Sequence, residues 1–512
     1  MRPLSLGLVF CTLSAACIGV ALAAHVEPGA VHHCEIGTYR FSNGEIVDIA
    51  RSEGENLRWR KFDGTTGVLH KKQDDSWTST LGWTDRSDGH AASFTRCARG
   101  EIEFDGKKAH RLPFDVTESV FEGRSGTKLA GRLVLPKSDD QVPIVVLVHG
   151  AERESARDSY ALQRLLPAEN VGAFVYDKRG TGRSEGKYTQ DFDTLADDAV
   201  AAMREAKRIA GTRCARIGYQ GGSEGGWVAP LAATRAPVDF VIVSFGLAVS
   251  VIDEDQEEVA LEMRLKGHAQ EEISKALEVA SAAEAVFESG FTKGFERFDA
   301  VRGKYRDEPW YKDLHGNYTH FILPYTAAEL REQRDQGKAF IFGTPFRYDP
   351  MPTVRAVKAP QLWILGEDDL EAPSVETGRR IKLLIAEGKP ITLALFPHAE
   401  HGMTEYEVAS NGERVSTRYA PGYFTMMRDF ARNGQLSGSH GSSVVVRPTL
   451  IPSGTQRSRG ISHYRKRTVL EMSRLRSARQ SRTRRCGVRP EQRADPTYFG
   501  KACRAAWYSG FL

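Results

Sequence analysis

Short, continuous apolar runs alternate with helical patterns from Phe114 to about Phe430, and this alternation constrains the fold more than any other feature. A run such as Ile144–Val148 has no polar face, which is typical of a strand buried on both sides of a parallel sheet. The alternation therefore predicts a doubly wound α/β sheet that opens with an antiparallel hairpin. The predicted strands are Phe114–Phe121, Lys128–Leu135, Pro143–Val148, Ala173–Tyr176, Arg216–Tyr219, Phe240–Ser244, Gln361–Leu365 and Thr392–Phe396.

A different pattern precedes this α/β region, which we expect to span residues 114–436. Residues 24–113 contain short alternating runs such as Thr38–Phe41 and Leu57–Arg60, separated by Asn-Gly and Asp-Gly turn signals. This pattern predicts a small β-rich amino-terminal domain. Cys34 and Cys97 bracket it and could form a disulfide in an oxidising compartment, although the sequence does not establish the pairing.

Residues 251–355 interrupt the strand–helix alternation. This segment is charged and has apolar residues at helical spacing, so it predicts a helical cap over the carboxyl end of the sheet. Aromatic residues such as Trp310 and Tyr318 follow these helices. They could line a substrate pocket or form the core of the cap, and the sequence favours the core.

The amino terminus has the features of an export signal. Arg2 precedes an apolar stretch from Leu4 to Val20, and Ala21-Leu22-Ala23 forms a small-x-small cleavage site. We therefore expect residues 1–23 to be removed and the protein to be periplasmic or extracellular, with no remaining membrane span. A retained anchor and a lipoprotein acylated at Cys17 are the less favoured alternatives.

The carboxyl terminus has a different composition from the rest of the chain. Residues 437–512 hold 16 Lys and Arg against three Asp and Glu, whereas the preceding residues hold 54 against 63. Because this Arg- and Ser-rich segment lacks periodicity, it is predicted to be a disordered basic tail. Nucleic-acid binding is the sharper interpretation of such a tail, but an exported protein is not expected to have that partner.

A glycine-rich segment carries the strongest local signal for chemistry. Gly221-x-Ser223-x-Gly225 follows a predicted strand and precedes a helix rich in small residues. In a nucleophile elbow, a serine occupies a strained turn and the flanking glycines let the strand and the helix approach closely. Ser223 is therefore the candidate nucleophile.

A nucleophilic serine needs a histidine base, and the base needs a carboxylate that orients it. The acidic loop after the strand Gln361–Leu365 offers Asp369, which we prefer over Asp368 and Glu367. After the last predicted strand, His401 stands next to a glycine, and we prefer it over His398.

The loop after Val148 should supply part of an oxyanion hole. Gly150 permits the backbone to turn an N–H inward, and the first residue after the nucleophile starts a helix. We assign the hole to the backbone N–H groups of Ala151 and Glu224, with Glu152 as an alternative to Ala151.

Three motifs together resemble bacterial carboxylesterases of the EstD type, which have the α/β-hydrolase fold. They are His149-Gly150, the run from Tyr176-Asp-Lys-Arg-Gly180 to Gly186, and Gly222-Ser-Glu-Gly-Gly226. The resemblance covers roughly residues 114–430 and implies a small amino-terminal domain, a helical cap, and a serine–aspartate–histidine triad at Ser223, Asp369 and His401. The run after Asp177 also suggests a phosphate loop, but it lacks the Walker spacing and is better explained as a turn.

These observations predict a serine hydrolase that cleaves small carboxylic esters through an acyl-enzyme and needs no metal or organic cofactor. One alternative is a serine exopeptidase of the same fold, for which the predicted cap offers Glu257, Glu258 and Glu262 as binding groups for a peptide terminus. A catalytically silent binding protein is the second alternative. The sequence leaves the oligomeric state open.

Overall fold

The computed structural model describes residues 34–337 and 342–448, so the predicted signal and most of the predicted tail lie outside the described residues. The amino-terminal part is a closed barrel of eight antiparallel strands in sequential order, which confirms the predicted all-β domain. The barrel strands are β1 (Gly37–Phe41), β2 (Ile46–Arg51), β3 (Leu57–Arg60), β4 (Thr66–Lys71), β5 (Trp77–Leu81), β6 (Ser87–Ser93), β7 (Glu101–Phe104) and β8 (Lys107–Arg111).

Large side chains fill the barrel. Tyr39, Trp59 and Phe104 are at most 1% exposed, and Trp59 packs edge-on against Phe104 at 5.2 Å between ring centroids. A disulfide joins Cys34 to Cys97 across 63 residues of sequence, with their Cα atoms 5.2 Å apart. The barrel interior is therefore a packed core, and the disulfide ties its first residues to the segment before β7.

A nine-stranded sheet forms the centre of the second part. Its first eight strands correspond one by one to the predicted strands, with ends shifted by at most three residues. These strands are β9 (Phe114–Glu122), β10 (Lys128–Pro136), β11 (Val142–Val148), β12 (Gly172–Tyr176), β13 (Cys214–Gly222), β14 (Phe240–Ser244), β15 (Gln361–Gly366) and β16 (Ile391–Phe396).

The spatial order of these strands is β9-β10-β12-β11-β13-β14-β15-β16. The strands from β12 to β16 run parallel, whereas β10 is antiparallel to both of its neighbours. Strands such as β14 are buried along their whole length, because helices cover both faces of the sheet. This order, with one reversed strand near the edge and a swap of β11 and β12, is that of the α/β-hydrolase fold and confirms the predicted fold class.

Twelve α-helices lie within the described residues. Five of them, α5 to α9, occupy most of the insertion after β14 and form the expected helical cap. The helices are α1 (Ala156–Ser159), α2 (Leu162–Ala168), α3 (Phe192–Ala210), α4 (Gly225–Arg235), α5 (Val251–Leu265), α6 (Gln270–Glu288), α7 (Phe295–Tyr305), α8 (Asn317–Ile322), α9 (Ala327–Asp335), α10 (Met351–Ala356), α11 (Ser374–Ala386) and α12 (Tyr423–Asn433).

The cap has a core of its own. Trp310 is 1% exposed, and Phe287 packs against the ring of Tyr318 at 5.1 Å between centroids. The aromatic residues of the insertion thus belong mainly to this core, as the sequence favoured. Within the described residues, no helix combines the length and apolar character needed to cross a bilayer.

The carboxyl-terminal part contains four strands that the sequence did not predict. A small antiparallel sheet follows β16, and a last strand pairs with β16 itself. These strands are β17 (Ala399–Glu400), β18 (Thr404–Val408), β19 (Arg414–Tyr419) and β20 (Val444–Val446).

Strand β20 corrects the predicted start of the basic tail at residue 437. Val444–Val446 completes the central sheet as its ninth strand, so ordered structure continues to residue 448. Three apolar residues within Ser- and Gly-rich sequence are too few to show a strand period, so the sequence pattern of this segment does not predict the strand.

The barrel packs directly against the β17–β19 sheet. The backbone N–H of Tyr419 donates to Gly64 O at 2.9 Å, and that of Trp83 donates to Ser416 O at 2.8 Å. A second contact joins the buried Asp48 of β2 to Arg164 of α2 through two hydrogen bonds of 2.7 and 2.9 Å. The barrel therefore packs against and stabilises the segment that follows His401, the candidate histidine.

Candidate active site

Ser223 lies at the sharp turn between β13 and α4. Its φ of 51° is in the left-handed region, which is costly for a residue with a side chain and marks stored strain. A Cβ at Gly221 would collide with the carbonyl oxygen of Gly225, and a Cβ at Gly226 would lie 2.8 Å from Gly246 Cα. The glycines around the serine are therefore required by close backbone approach, as expected for a nucleophile elbow.

The two backbone N–H groups assigned to an oxyanion hole lie in the loop after β11 and at the start of α4. Ala151 follows β11 by three residues, and Glu224 is the N-cap residue of α4. Within residues 34–337 and 342–448, neither the N–H of Ala151 nor that of Glu224 donates to a protein acceptor. Free N–H groups at a helix start can stabilise a developing negative charge.

His401 and Asp369 form a buried pair. His401 Nδ1 lies 3.1 Å from Asp369 Oδ2, and the side chains are 19% and 1% exposed. The other carboxylate oxygen of Asp369 accepts a 2.8 Å hydrogen bond from the N–H of Ala372, which fixes the carboxylate. Asp369 lies in the loop after β15 and His401 follows β17, so the carboxyl edge of the sheet positions both.

The alternative residues of the same two loops also pair with each other. His398 Nδ1 lies 3.4 Å from Asp368 Oδ2, and this carboxylate also accepts a hydrogen bond of 3.1 Å from Tyr406. The His398 side chain is 86% exposed. The structure thus places the preferred residues in the interior and the alternatives at the surface.

Ser244 and Phe245, which are consecutive in the sequence, contact the Ser223 elbow and the His401 imidazole, respectively. The N–H of Ser223 donates to Ser244 O at 3.2 Å, and the ring of Phe245 packs edge-on against His401 at 4.9 Å between centroids. Ser223 and the Asp369–His401 pair therefore flank the end of β14.

Carboxylates surround His401 beyond Asp369. Glu371 Oε1 lies 3.6 Å from His401 Nε2, and the carboxyl group of the buried Glu254 of α5 also lies near the imidazole. Burial opposes the charged imidazolium, but attraction by Glu371 and then by Asp369 outweighs it and raises the pKa of His401 to about 10. Burial, reinforced by Glu258 and Glu371, also raises the pKa of Glu254 well above its usual value.

Lys178 is a further buried group at this site. It follows β12, is 1% exposed, and donates from Nζ to Gly150 O at 3.0 Å while pairing with the Glu224 carboxylate. Burial raises the pKa of Glu224 to about 7 despite the opposing effect of Lys178. Sequence reasoning assigned no role to Lys178 or Glu371; the available signals for Lys178 were its position two residues after a buried strand and its place in the run from Tyr176 to Gly186.

The neighbouring Asp177 explains the run that resembles a phosphate loop. Its carboxylate is fully buried and accepts hydrogen bonds from Ser155 Oγ at 2.7 Å and from the N–H of Arg183 at 3.0 Å. These contacts hold the turn after β12, which agrees with the interpretation of this run as a turn.

Two groups of described residues bring three possible metal ligands within 4.8 Å of one another. One includes the disulfide-bonded Cys34 and Cys97. The other lies in the cap, where His315 Nδ1 is 3.5 Å from a Glu258 oxygen and 3.3 Å from a Glu262 oxygen. Contact with Glu258 and then Glu262 raises the pKa of His315 to about 10, so this imidazole pairs with both carboxylates in its protonated form.

Comparison with known proteins agrees with the fold. Residues 139–288, which contain the elbow, match the family model described as serine aminopeptidase, S33. The strand order described above is that of the α/β-hydrolase fold. The protein YfhR of Salmonella typhimurium is 32% identical over 126 residues, and the match spans 24% of this chain and 42% of YfhR.

The solved structures matched in a structural comparison include an esterase and a peptidase. The esterase Pf2001 of Pyrococcus furiosus has 16% identity and a TM-score of 0.35, with 56% of this chain and 84% of that chain covered. The acylaminoacyl peptidase of Pyrococcus horikoshii has 15% identity and a TM-score of 0.37, with 75% and 55% covered.

Proposed function

We propose that the protein is a serine hydrolase that cleaves small carboxylic esters through an acyl-enzyme, with Ser223, His401 and Asp369 as the catalytic triad. The observation that carries this proposal is the buried His401–Asp369 pair beside the strained Ser223 elbow, at the carboxyl edge of the sheet. A histidine oriented by a buried carboxylate can act as the base for a serine.

In the first step, His401 Nε2 takes the proton of Ser223 Oγ while the oxygen attacks the ester carbonyl. The resulting oxyanion accepts hydrogen bonds from the N–H groups of Ala151 and Glu224. His401 then gives the proton to the leaving alcohol as the ester C–O bond breaks, and an acyl-Ser223 remains.

Water completes the cycle. His401 removes a proton from a water molecule that attacks the acyl-enzyme, and it returns this proton to Ser223 Oγ when the carboxylic acid leaves. Asp369 keeps Nδ1 protonated throughout, because its carboxylate accepts the Nδ1–H bond and has a second hydrogen bond that fixes it.

Turnover of short-chain p-nitrophenyl esters tests this proposal. Ser223→Ala lacks the nucleophile and should lower kcat at least ~10³-fold, because only the oxyanion hole and substrate binding remain. Thermal unfolding of both proteins serves as the control for folding. Equal turnover by wild type and Ser223→Ala would contradict the proposal.

An aminopeptidase of the same fold is the second candidate, and the carboxylates around His401 favour it. Glu254 and Glu371 both lie close enough to raise the pKa of the imidazole and could attract the ammonium group of a peptide amino terminus. Of the glutamates considered from the sequence, Glu258 and Glu262 contact His315 instead. Faster cleavage of aminoacyl anilides than of esters, lost on N-acetylation, would favour the peptidase.

We also propose that the protein is exported. The Cys34–Cys97 disulfide supports an oxidising compartment, as the hydrophobic amino-terminal stretch does. Recovery of the protein in an osmotic-shock fraction of the producing cell tests this localisation. A binding protein without activity is the remaining alternative, and ester turnover would exclude it.

A further inference from the structure

Lys178 is an ammonium group in the interior that the proposed proton transfers do not use. It is 1% exposed, and the ring of Tyr188 lies 4.7 Å from its Nζ. Burial of a charge is costly unless the charge is paired and hydrogen-bonded. Lys178 meets that requirement through two contacts, one to Gly150 O and one to the Glu224 carboxylate.

The contact with Gly150 O sets the direction of the next N–H group. The carbonyl of Gly150 and the N–H of Ala151 belong to one planar peptide group, and none of the described peptide bonds is cis. In a trans peptide the C=O and the N–H point in opposite directions. By holding Gly150 O at 3.0 Å, Lys178 therefore turns the N–H of Ala151 away from itself.

Tyr188 holds the following peptide group. Its hydroxyl donates to Ala151 O at 2.6 Å, while its ring packs over the Lys178 ammonium. The peptide planes on both sides of Ala151 are thus fixed by two side chains that contact each other.

The second contact reaches the other proposed donor. Glu224 follows Ser223 directly and is 3% exposed, and its carboxylate pairs with Lys178. Its backbone N–H stands at the start of α4. One ammonium group is therefore linked to the loop after β11 and to the N-cap residue of α4.

We propose that Lys178 is a positioning residue for the oxyanion hole: through Gly150 O and the Glu224 carboxylate it fixes the N–H groups of Ala151 and Glu224 relative to each other. This inference rests on the proposed function. Because the oxyanion exists only in the transition state and the intermediate, disorder of the hole should lower kcat and leave KM nearly unchanged.

The test compares Lys178→Met, the double variant Lys178→Met/Glu224→Gln, and Lys187→Met. The single variant leaves the Glu224 carboxylate buried without its cation, so the double variant replaces the pair by neutral groups and protects folding. Lys187 is exposed on the same loop and is the matched control. Ester turnover, inhibition by a trifluoromethyl ketone, and fluorophosphonate labelling of Ser223 are measured for each folded protein.

We expect kcat to fall ~10²-fold in the double variant, as on removal of one oxyanion-hole donor, with KM within about threefold of wild type. The affinity for the ketone, whose adduct has an oxyanion, should fall in parallel, and Lys187→Met should behave as wild type. A folded double variant with kcat within threefold of wild type overturns the inference, as does a rise in KM at constant kcat.

Fluorophosphonate labelling distinguishes a loss of oxyanion-hole positioning from a failure of the proposed function. If the inference is correct, fluorophosphonate still modifies Ser223 to completion in the double variant, although more slowly. A wild-type protein that neither labels nor hydrolyses esters contradicts the proposed function itself, and the positioning role falls with it.

Discussion

Two imidazole–carboxylate pairs lie side by side in the same two loops, Asp369 with His401 and Asp368 with His398. Their N···O distances are similar, at 3.1 and 3.4 Å. Their surroundings differ, because the histidine side chains are 19% and 86% exposed and the aspartate side chains 1% and 34%. The same contact between the same residue types therefore occurs in two different environments in this molecule, one buried and one exposed.

Exposure to water explains why the two pairs differ in interaction energy. An exposed ion pair is screened and contributes little, whereas a buried carboxylate holds an imidazole in one tautomer and orientation. Position separates them as well, since Phe245 links His401 to the end of β14, where the N–H of Ser223 is bound. The comparison teaches that burial and proximity to the elbow, and not pairing alone, distinguish a catalytic histidine here.

The largest expected effect is loss of the buried pair. His401→Ala and Asp369→Asn should each lower kcat for ester hydrolysis by ~10³- to 10⁴-fold, because the base is removed or its tautomer is wrong. Steady-state kinetics on p-nitrophenyl esters measures the change, and circular dichroism checks folding. Folded variants that keep more than a tenth of wild-type kcat would refute the assignment.

An intermediate effect concerns the carboxylate that faces His401 Nε2. Glu371 helps to raise the pKa of His401 to about 10, and the mechanism needs the neutral imidazole, so activity should increase as the pH rises towards that value. Glu371→Gln removes this attraction and should move the midpoint of the kcat/KM profile down by about one pH unit. The variant would then be more active than wild type at neutral pH.

The pH profile of Glu371→Gln has a direct control. Glu367→Gln changes an exposed carboxylate in the same loop, and its midpoint should match that of wild type. An unchanged midpoint in Glu371→Gln would show that Glu371 does not set the charge of His401.

The smallest expected effect is loss of the exposed pair. His398→Ala and Asp368→Asn should leave kcat/KM within about threefold of wild type, since exposed pairs contribute only ~0–1 kcal/mol. The same ester assay measures both variants. A loss of 10²-fold or more in either would remove the distinction between the two pairs.

Much of this arrangement could be predicted from the sequence. Buried parallel strands have continuous apolar runs, so strands such as β11 and β14 were recognisable, and the elbow needs glycines at a recognisable spacing. The order serine, acid, histidine along the chain then selected the loops after β15 and β16. The sequence pattern was sufficient to predict a feature wherever that feature depends only on residues close together in the chain.

The missing parts depend on contacts between distant segments. Strand β20 has only three residues and is stabilised by pairing with β16, so no period in its own sequence could show it. Lys178 lies 46 residues before Glu224 in the sequence, and its burial follows from the order of β11, β12 and β13 in the sheet. The exposure that separates His401 from His398 is likewise a property of the folded chain.

Fluorophosphonate labelling followed by peptide mass spectrometry tests the central claim most directly. The account predicts one phosphonyl group per chain, attached to Ser223, with labelling abolished in Ser223→Ala, strongly slowed in His401→Ala and unchanged in His398→Ala. Modification of a different residue, or equal labelling rates in wild type and His401→Ala, would contradict it.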